Sequence, residues 1–111
     1  MNPEVQELLA DALKHACQIR EFVAGHDLSS YSRDPKTRMA VERSFEIIGE
    51  SLNRIKRIDN GMLESIRDHR SIISFRNILA HAYDHIEDRI VWGIIETDLD
   101  QLVEDIETLL S

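Results

Sequence analysis

The sequence is short of nearly everything that a disulfide-stapled, β-rich or membrane-spanning protein needs. One cysteine, Cys17, in 111 residues excludes an internal disulfide and a cysteine-rich metal site. Two prolines, four glycines and 5% aromatics argue against a strand-and-turn architecture. No apolar run approaches the ~20 residues of a bilayer-spanning helix. The start Met1-Asn2-Pro3-Glu4 has neither the basic opening nor the apolar stretch of a signal peptide, so the expectation is a cytoplasmic protein with no membrane partner. Basic residues are the minority, 13 Lys and Arg against 21 Asp and Glu, for a formal net charge of −8. That excludes a generally basic, nucleic-acid-coating protein.

What is present is a 42% hydrophobic chain of a length that suits one domain over residues 1–111 and one core. Its charge is uneven. Residues 1–28 hold five acids and two bases, residues 29–89 eleven bases and ten acids, and residues 90–111 six acids and no base. An anionic ligand is therefore expected to meet the middle of the chain, with the two ends as acidic surfaces.

Apolar residues recur at helical spacing almost throughout. Asn2-Pro3 is a cap followed by proline at the first helical position, and Val5, Leu9, Ala12, Ala16, Ile19 and Val23 follow at steps of four and three. Gly25-His26-Asp27 ends this helix, and the polar stretch 28–33 reads as a loop. Asp34-Pro35 opens a second helix with the stripe Val41, Phe45, Ile48, Leu52 and Ile55, closed by the turn Asp59-Asn60-Gly61. Residues 62–83 fit one short and one longer helix. Asp84 to Asp88 is a brief connection, and a last helix carries Val91, Ile95, Leu99, Leu102, Ile106 and Leu109. The pattern predicts an all-α, antiparallel four-helix bundle with a short extra helix before the third main one. Gly49, costly inside a helix, marks a close approach of another helix. Cys17, beside the first stripe, reads as a small packing residue, and Trp92 as an interface or core aromatic.

The chemistry is concentrated in Ser74-Phe75-Arg76-Asn77-Ile78-Leu79-Ala80-His81-Ala82-Tyr83. At about 100° per residue, Asn77 lies nearly under His81, and Arg76 and Tyr83 coincide within about 20°. The small Ala80 between them lets another surface approach. Phe75, Ile78 and Leu79 are expected to point away from this polar face. A permanent cation, an imidazole that titrates near neutrality and an orienting amide suit phosphate chemistry. A histidine at a helix C-terminus also complements the dipole, so spacing alone leaves its role open.

Other polar residues invite weaker readings. His81 and His85 have helix-borne ligand spacing, but no third ligand follows from the spacing, and no metal site is assigned. Glu42, Glu46 and Glu50 recur every four residues on the second helix as a solvated or salt-bridged face, with Arg43 and Arg54 as candidate partners. Glu42 and Glu46 are the candidates for an acid that orients Arg76. His69 and Arg70 stand before Arg76, placed for contact with phosphates or for the bare surface.

Arg76, Asn77, His81 and Tyr83, with Ala40-Val41-Glu42-Arg43, Ile47 to Leu52 and Ile90-Val91-Trp92 in order, resemble the Arg-x4-His-x-Tyr pattern and flanking helices of HepT-type toxins in the HEPN superfamily. The resemblance spans nearly the whole chain, with Ala82 a harmless departure between His and Tyr. It implies a HEPN-like bundle that dimerises, and the toxin of a type VII-like toxin–antitoxin system. The implied activity is metal-independent endoribonuclease cleavage of RNA, tRNA being one candidate, with Arg76 and His81 catalytic and Asn77 supporting. It also implies a minimal nucleotidyltransferase antitoxin as partner, using ATP and Mg to place AMP on Tyr83, in a homodimer or a higher-order complex. Cleavage itself would need no cofactor. An alternative implied by related proteins is a non-catalytic helical partner subunit of such a nucleotidyltransferase.

Overall fold

The computed structural model describes residues 1–81 and 86–111, and among them there is no strand. Six α-helices follow in order: α1 Pro3–Val23, α2 Leu28–Ser32, α3 Pro35–Ile58, α4 His69–His81, α5 Asp88–Thr97 and α6 Leu99–Leu110. A 3-10 turn, Asn60–Ser65, precedes α4, where a short extra helix was expected. The 24 residues of α3 span about 36 Å at 1.5 Å per residue, which accounts for most of the longest dimension, 42 Å.

The two long helices begin as the sequence predicts. Asn2 Oδ1 accepts from the backbone N–H of Glu4 and Val5 ahead of Pro3, and Asp34 accepts from Thr37 ahead of Pro35. Helix α1 packs on α3, α3 on α4, and α6 on α1, while α5 lies against α6 and α2. The expected stripes form one continuous core, with Leu9, Ile19, Phe45, Ile48 and Leu52 fully buried.

Three local expectations are corrected. The stretch expected as a loop is helical in Leu28–Ser32, because Asp27 and Ser30 cap each other reciprocally and Tyr31 is buried, its ring 5.3 Å from that of Trp92. The last helix is two helices. The Thr97 hydroxyl lies 2.8 Å from the Gly93 carbonyl and 3.0 Å from Asp98 Oδ1, a side-chain competition that bends helices, and the break falls at Asp98. Cys17 is exposed, because it falls between the buried positions Ala16 and Ile19 on the outer side of α1. No described helix is long and apolar enough to cross a membrane.

Candidate active site

Helix α4 contains neither glycine nor proline, and its stripe of Ile72, Phe75 and Leu79 is buried. Phe75 meets Phe45 of α3 edge to face, with centroids 5.4 Å apart and ring planes at 74°. This contact sets the register that places Arg76 against Gly49. A Cβ built on Gly49 would lie 2.2 Å from Cβ of Arg76 and 2.7 Å from its Cγ, so only glycine admits the arginine stem there. The close approach signalled by Gly49 is therefore the seat of Arg76.

The guanidinium then meets two partners. Its Nη2 lies 2.9 Å from Glu50 Oε2, and Nη1 donates to Asn77 Oδ1 at 3.1 Å. Arg76 is 27% exposed and Glu50 40%. Glu50 is also 3.5 Å from Arg57. The orienting acid expected at Glu42 or Glu46 is thus found at Glu50, next to the glycine that seats the arginine. Glu46 pairs with Arg43 at 3.3 Å, and Glu42 contributes to the field around buried Tyr31. Arg76 lines one side of a cleft of about 240 Å³, with Asp11, Arg43, Glu46, Glu50 and Arg54 around it, where cations and carboxylates alternate.

Asn77 and His81 are exposed, about 100° and 140° around the helix from Arg76. Of the four residues expected on one broad polar face, Arg76 is partly buried while Asn77 and His81 are exposed. Arg76 is tucked at the α3 boundary, while His81, the last residue of α4, stands outward on the helix's C-terminal turn. Ile78, expected to point away from the polar side, is 56% exposed and flanks His81. Tyr83 and His85 lie outside the described residues. Among the described residues, no group of three His, Cys, Asp or Glu is placed to hold a metal.

The start of α4 is fixed separately. Asp105 of α6, 9% exposed, accepts from the backbone N–H of Arg67 at 3.0 Å and pairs with its guanidinium at 2.9 Å. The guanidinium hydrogen bonds hold the Asp105 carboxyl below its ordinary range. Sequence reading missed this tie, although an acid inside the run Leu102-Val103-Glu104-Asp105-Ile106 is its trace.

The profile of one family, described as Ribonuclease HepT-like, matches residues 12–109. The chain belongs to the HepT-like ribonuclease family. It is similar to a candidate ribonuclease HepT of Thermococcus cleftensis, 30% identical over 104 residues that cover 94% of each chain. It is also similar to a candidate RNase of Methanocaldococcus jannaschii, 29% identical over 106 residues covering 94% of each. A third relative, a candidate RNase of Caldanaerobacter subterraneus, is 28% identical over 103 residues, 89% of this chain and 91% of the other. No solved structure is significantly similar. In this HepT-like, HEPN-type chain Arg76 and His81 lie on one helix, and the arginine is held by Glu50 and Asn77.

Proposed function

We propose that the chain is the toxin of a type VII-like toxin–antitoxin system and cleaves RNA without a metal, using Arg76 and His81 of two copies that meet in one cleft. The observation that carries this reading is the arrangement of Arg76, its stem over Gly49 and its guanidinium between Glu50 and Asn77. A cation held that way is prepared for an anion in the transition state. The names of the relatives as candidate ribonucleases support the same chemistry.

Cleavage through the 2′-hydroxyl needs a base and an acid, and one chain supplies one histidine in the motif. A two-fold pair supplies two. One neutral His81 takes the 2′-hydroxyl proton as the 2′-oxygen attacks phosphorus. The bond from phosphorus to the 5′-oxygen breaks, and the imidazolium of the other His81, or a water, gives that oxygen its proton. The products are a 2′,3′-cyclic phosphate and a 5′-hydroxyl. Arg76 pairs with the phosphorane oxygens, and Asn77 keeps the guanidinium in line. The pairing surface is the outward side of α4, where Ala80 is small and Ile78 is an exposed apolar residue.

Silencing falls to Tyr83. A minimal nucleotidyltransferase antitoxin, with ATP and Mg, transfers AMP to its hydroxyl and releases pyrophosphate. The phosphodiester anion then competes for Arg76, and the nucleotide fills the cleft. Two assays test the reading. Light scattering should give a dimer at micromolar concentration, and a monomer with intact cleavage contradicts the shared cleft. A Tyr83→Phe variant should cleave RNA yet resist silencing by antitoxin with ATP, with no AMP added by intact mass. Normal silencing, or AMP at another residue, contradicts the role of Tyr83.

A further inference from the structure

A second groove opens between the end of α3 and the start of α4. It measures about 550 Å³ and is lined by Lys56, Asn60, His69, Arg70, Ser74 and Asn77, with no carboxylate among the described lining residues. In a chain of net charge −8, such a surface is unusual in kind. Eight of the ten arginines are in ion pairs with Asp or Glu, and Arg33 is bonded to Ser29. Arg70 alone has neither kind of partner among the described residues, and Lys56 across the groove has none either. On the same or facing elements, Glu50 takes Arg57 and Arg76 and Asp105 takes Arg67.

His69 lines the same groove as these two cations. Its Nδ1 is buried without a hydrogen-bond partner among the described residues, an arrangement that buried polar atoms ordinarily avoid. Burial, then Arg70 and Lys56, lower its pKa, while Glu64 opposes the shift. The first turn of α4, a helix of 13 residues, carries no acid, so the helix dipole adds to the positive potential. Two unpaired cations, with the hydroxyl and amide of Ser74 and Asn77 and the edge of the His69 ring in the lining, form the donor set of an oxyanion site.

We infer that this groove is a subsite for a backbone phosphate of the RNA strand, distinct from the phosphate that Arg76 attacks. The inference rests on the ribonuclease reading for the carrier of the phosphate, and on the groove itself for the anion. Asn77 joins the two places, because it lines the groove while its Oδ1 holds Arg76. Arg70 and Arg76 are six residues apart, about 9 Å of helix rise, so different phosphates of one strand occupy them. The groove thereby supplies the local positive surface that the net charge of the chain withholds.

The test uses the full chain with three probes: inorganic phosphate, AMP, and a single-stranded RNA oligonucleotide made uncleavable by 2′-O-methylation. Phosphate should shift the His69 ring signals in NMR spectra and raise its titration midpoint. A double variant, Lys56→Ala with Arg70→Ala, should bind the oligonucleotide about tenfold more weakly, with the salt slope reduced by about 0.7 per lost contact. A charge-matched control, Arg33→Ala with Lys36→Ala, should keep affinity and slope close to the parent's. Unmoved His69 signals, or equal losses in the two double variants, overturn the subsite. AMP binding as tightly as the oligonucleotide overturns the RNA assignment and leaves a free-nucleotide site. If the parent chain binds phosphate at His69 but cleaves no RNA, the subsite stands and the ribonuclease reading fails.

Discussion

Two arginine–carboxylate pairs tie the α4 region to its neighbours, one ahead of its first turn and one along its length, and they are built for different work. Asp105 is almost completely buried and takes a backbone N–H as well as the Arg67 guanidinium. Glu50 is 40% exposed, meets Arg76 through one short contact and shares itself with Arg57. A buried carboxylate with several aligned donors is hard to replace, because loss of its partners strands a desolvated charge. A half-exposed pair contributes little to stability, and its carboxylate can yield to a phosphate that offers more oxygens to the same guanidinium. The first pair anchors the helix, and in the proposed function the second keeps a cation aimed until substrate arrives.

Substitution at each pair should separate these roles. The largest effect is expected from Arg76→Ala or His81→Ala, each lowering the RNA cleavage rate by on the order of 10²–10³ with unchanged helical circular dichroism. Full activity in either variant at equal protein concentration removes its assigned role. Next is Gly49→Ala. The added Cβ collides with the Arg76 stem, an overpacking cost of about 1–3 kcal/mol set against a helix-propensity gain of about 1 kcal/mol. Cleavage should therefore fall by more than tenfold while the melting temperature drops by no more than about 10 °C, and wild-type kinetics would show that Arg76 needs no such seat.

Asp105→Asn should do the reverse, lowering the melting temperature by on the order of 5 °C with cleavage at low temperature preserved. The pH dependence follows from the same pair. The folded Asp105 carboxyl is held below its ordinary value, near 3.9 when unfolded. The unfolded chain therefore binds this proton first as pH falls. The stabilisation is complete above about pH 4 and is lost as pH drops through the folded value. Denaturant melts from pH 6 to pH 3 should show a steeper acid loss in the parent than in Asp105→Asn. The smallest effect is expected for Glu50→Gln. Asn77 still holds the guanidinium, so kcat/KM should fall by less than about tenfold, or 1.4 kcal/mol, with stability within about 0.5 kcal/mol of the parent.

The sequence made some of this legible and hid the rest for physical reasons. Proline and cap residues with 3- and 4-residue apolar steps located α1 and α3, because those signals are local. The same signals ran through Thr97 and Asp98 without a stop, since a hydroxyl competing for a carbonyl leaves the apolar period intact. They passed over α2, whose five residues are held by a capping box and one buried tyrosine. At the site, Arg76, Asn77 and His81 are candidates by type and spacing, and the close approach at Gly49 is marked by its cost in a helix. The choice of Glu50 over Glu42 and Glu46 depends on where α4 crosses α3, which Phe75 on Phe45 sets and no helical wheel contains. Ile78 was misplaced for the same reason, because an apolar residue on a helix is only known to be buried once its neighbour is placed. The groove at Lys56 and Arg70 joins residues 14 positions apart, and what distinguishes it is the absence of partners.

The central claim is that this HepT-like chain cleaves RNA by itself through Arg76 and His81. Its most direct test is incubation of the purified chain with a defined single-stranded RNA in EDTA, beside Arg76→Ala and His81→Ala prepared in parallel, with end-group analysis of the products. The account predicts 2′,3′-cyclic phosphate and 5′-hydroxyl ends from the parent and cleavage reduced at least about a hundredfold in both variants. Cleavage at the parent's rate by either variant, or parent activity that appears only when a divalent metal is restored, would contradict it.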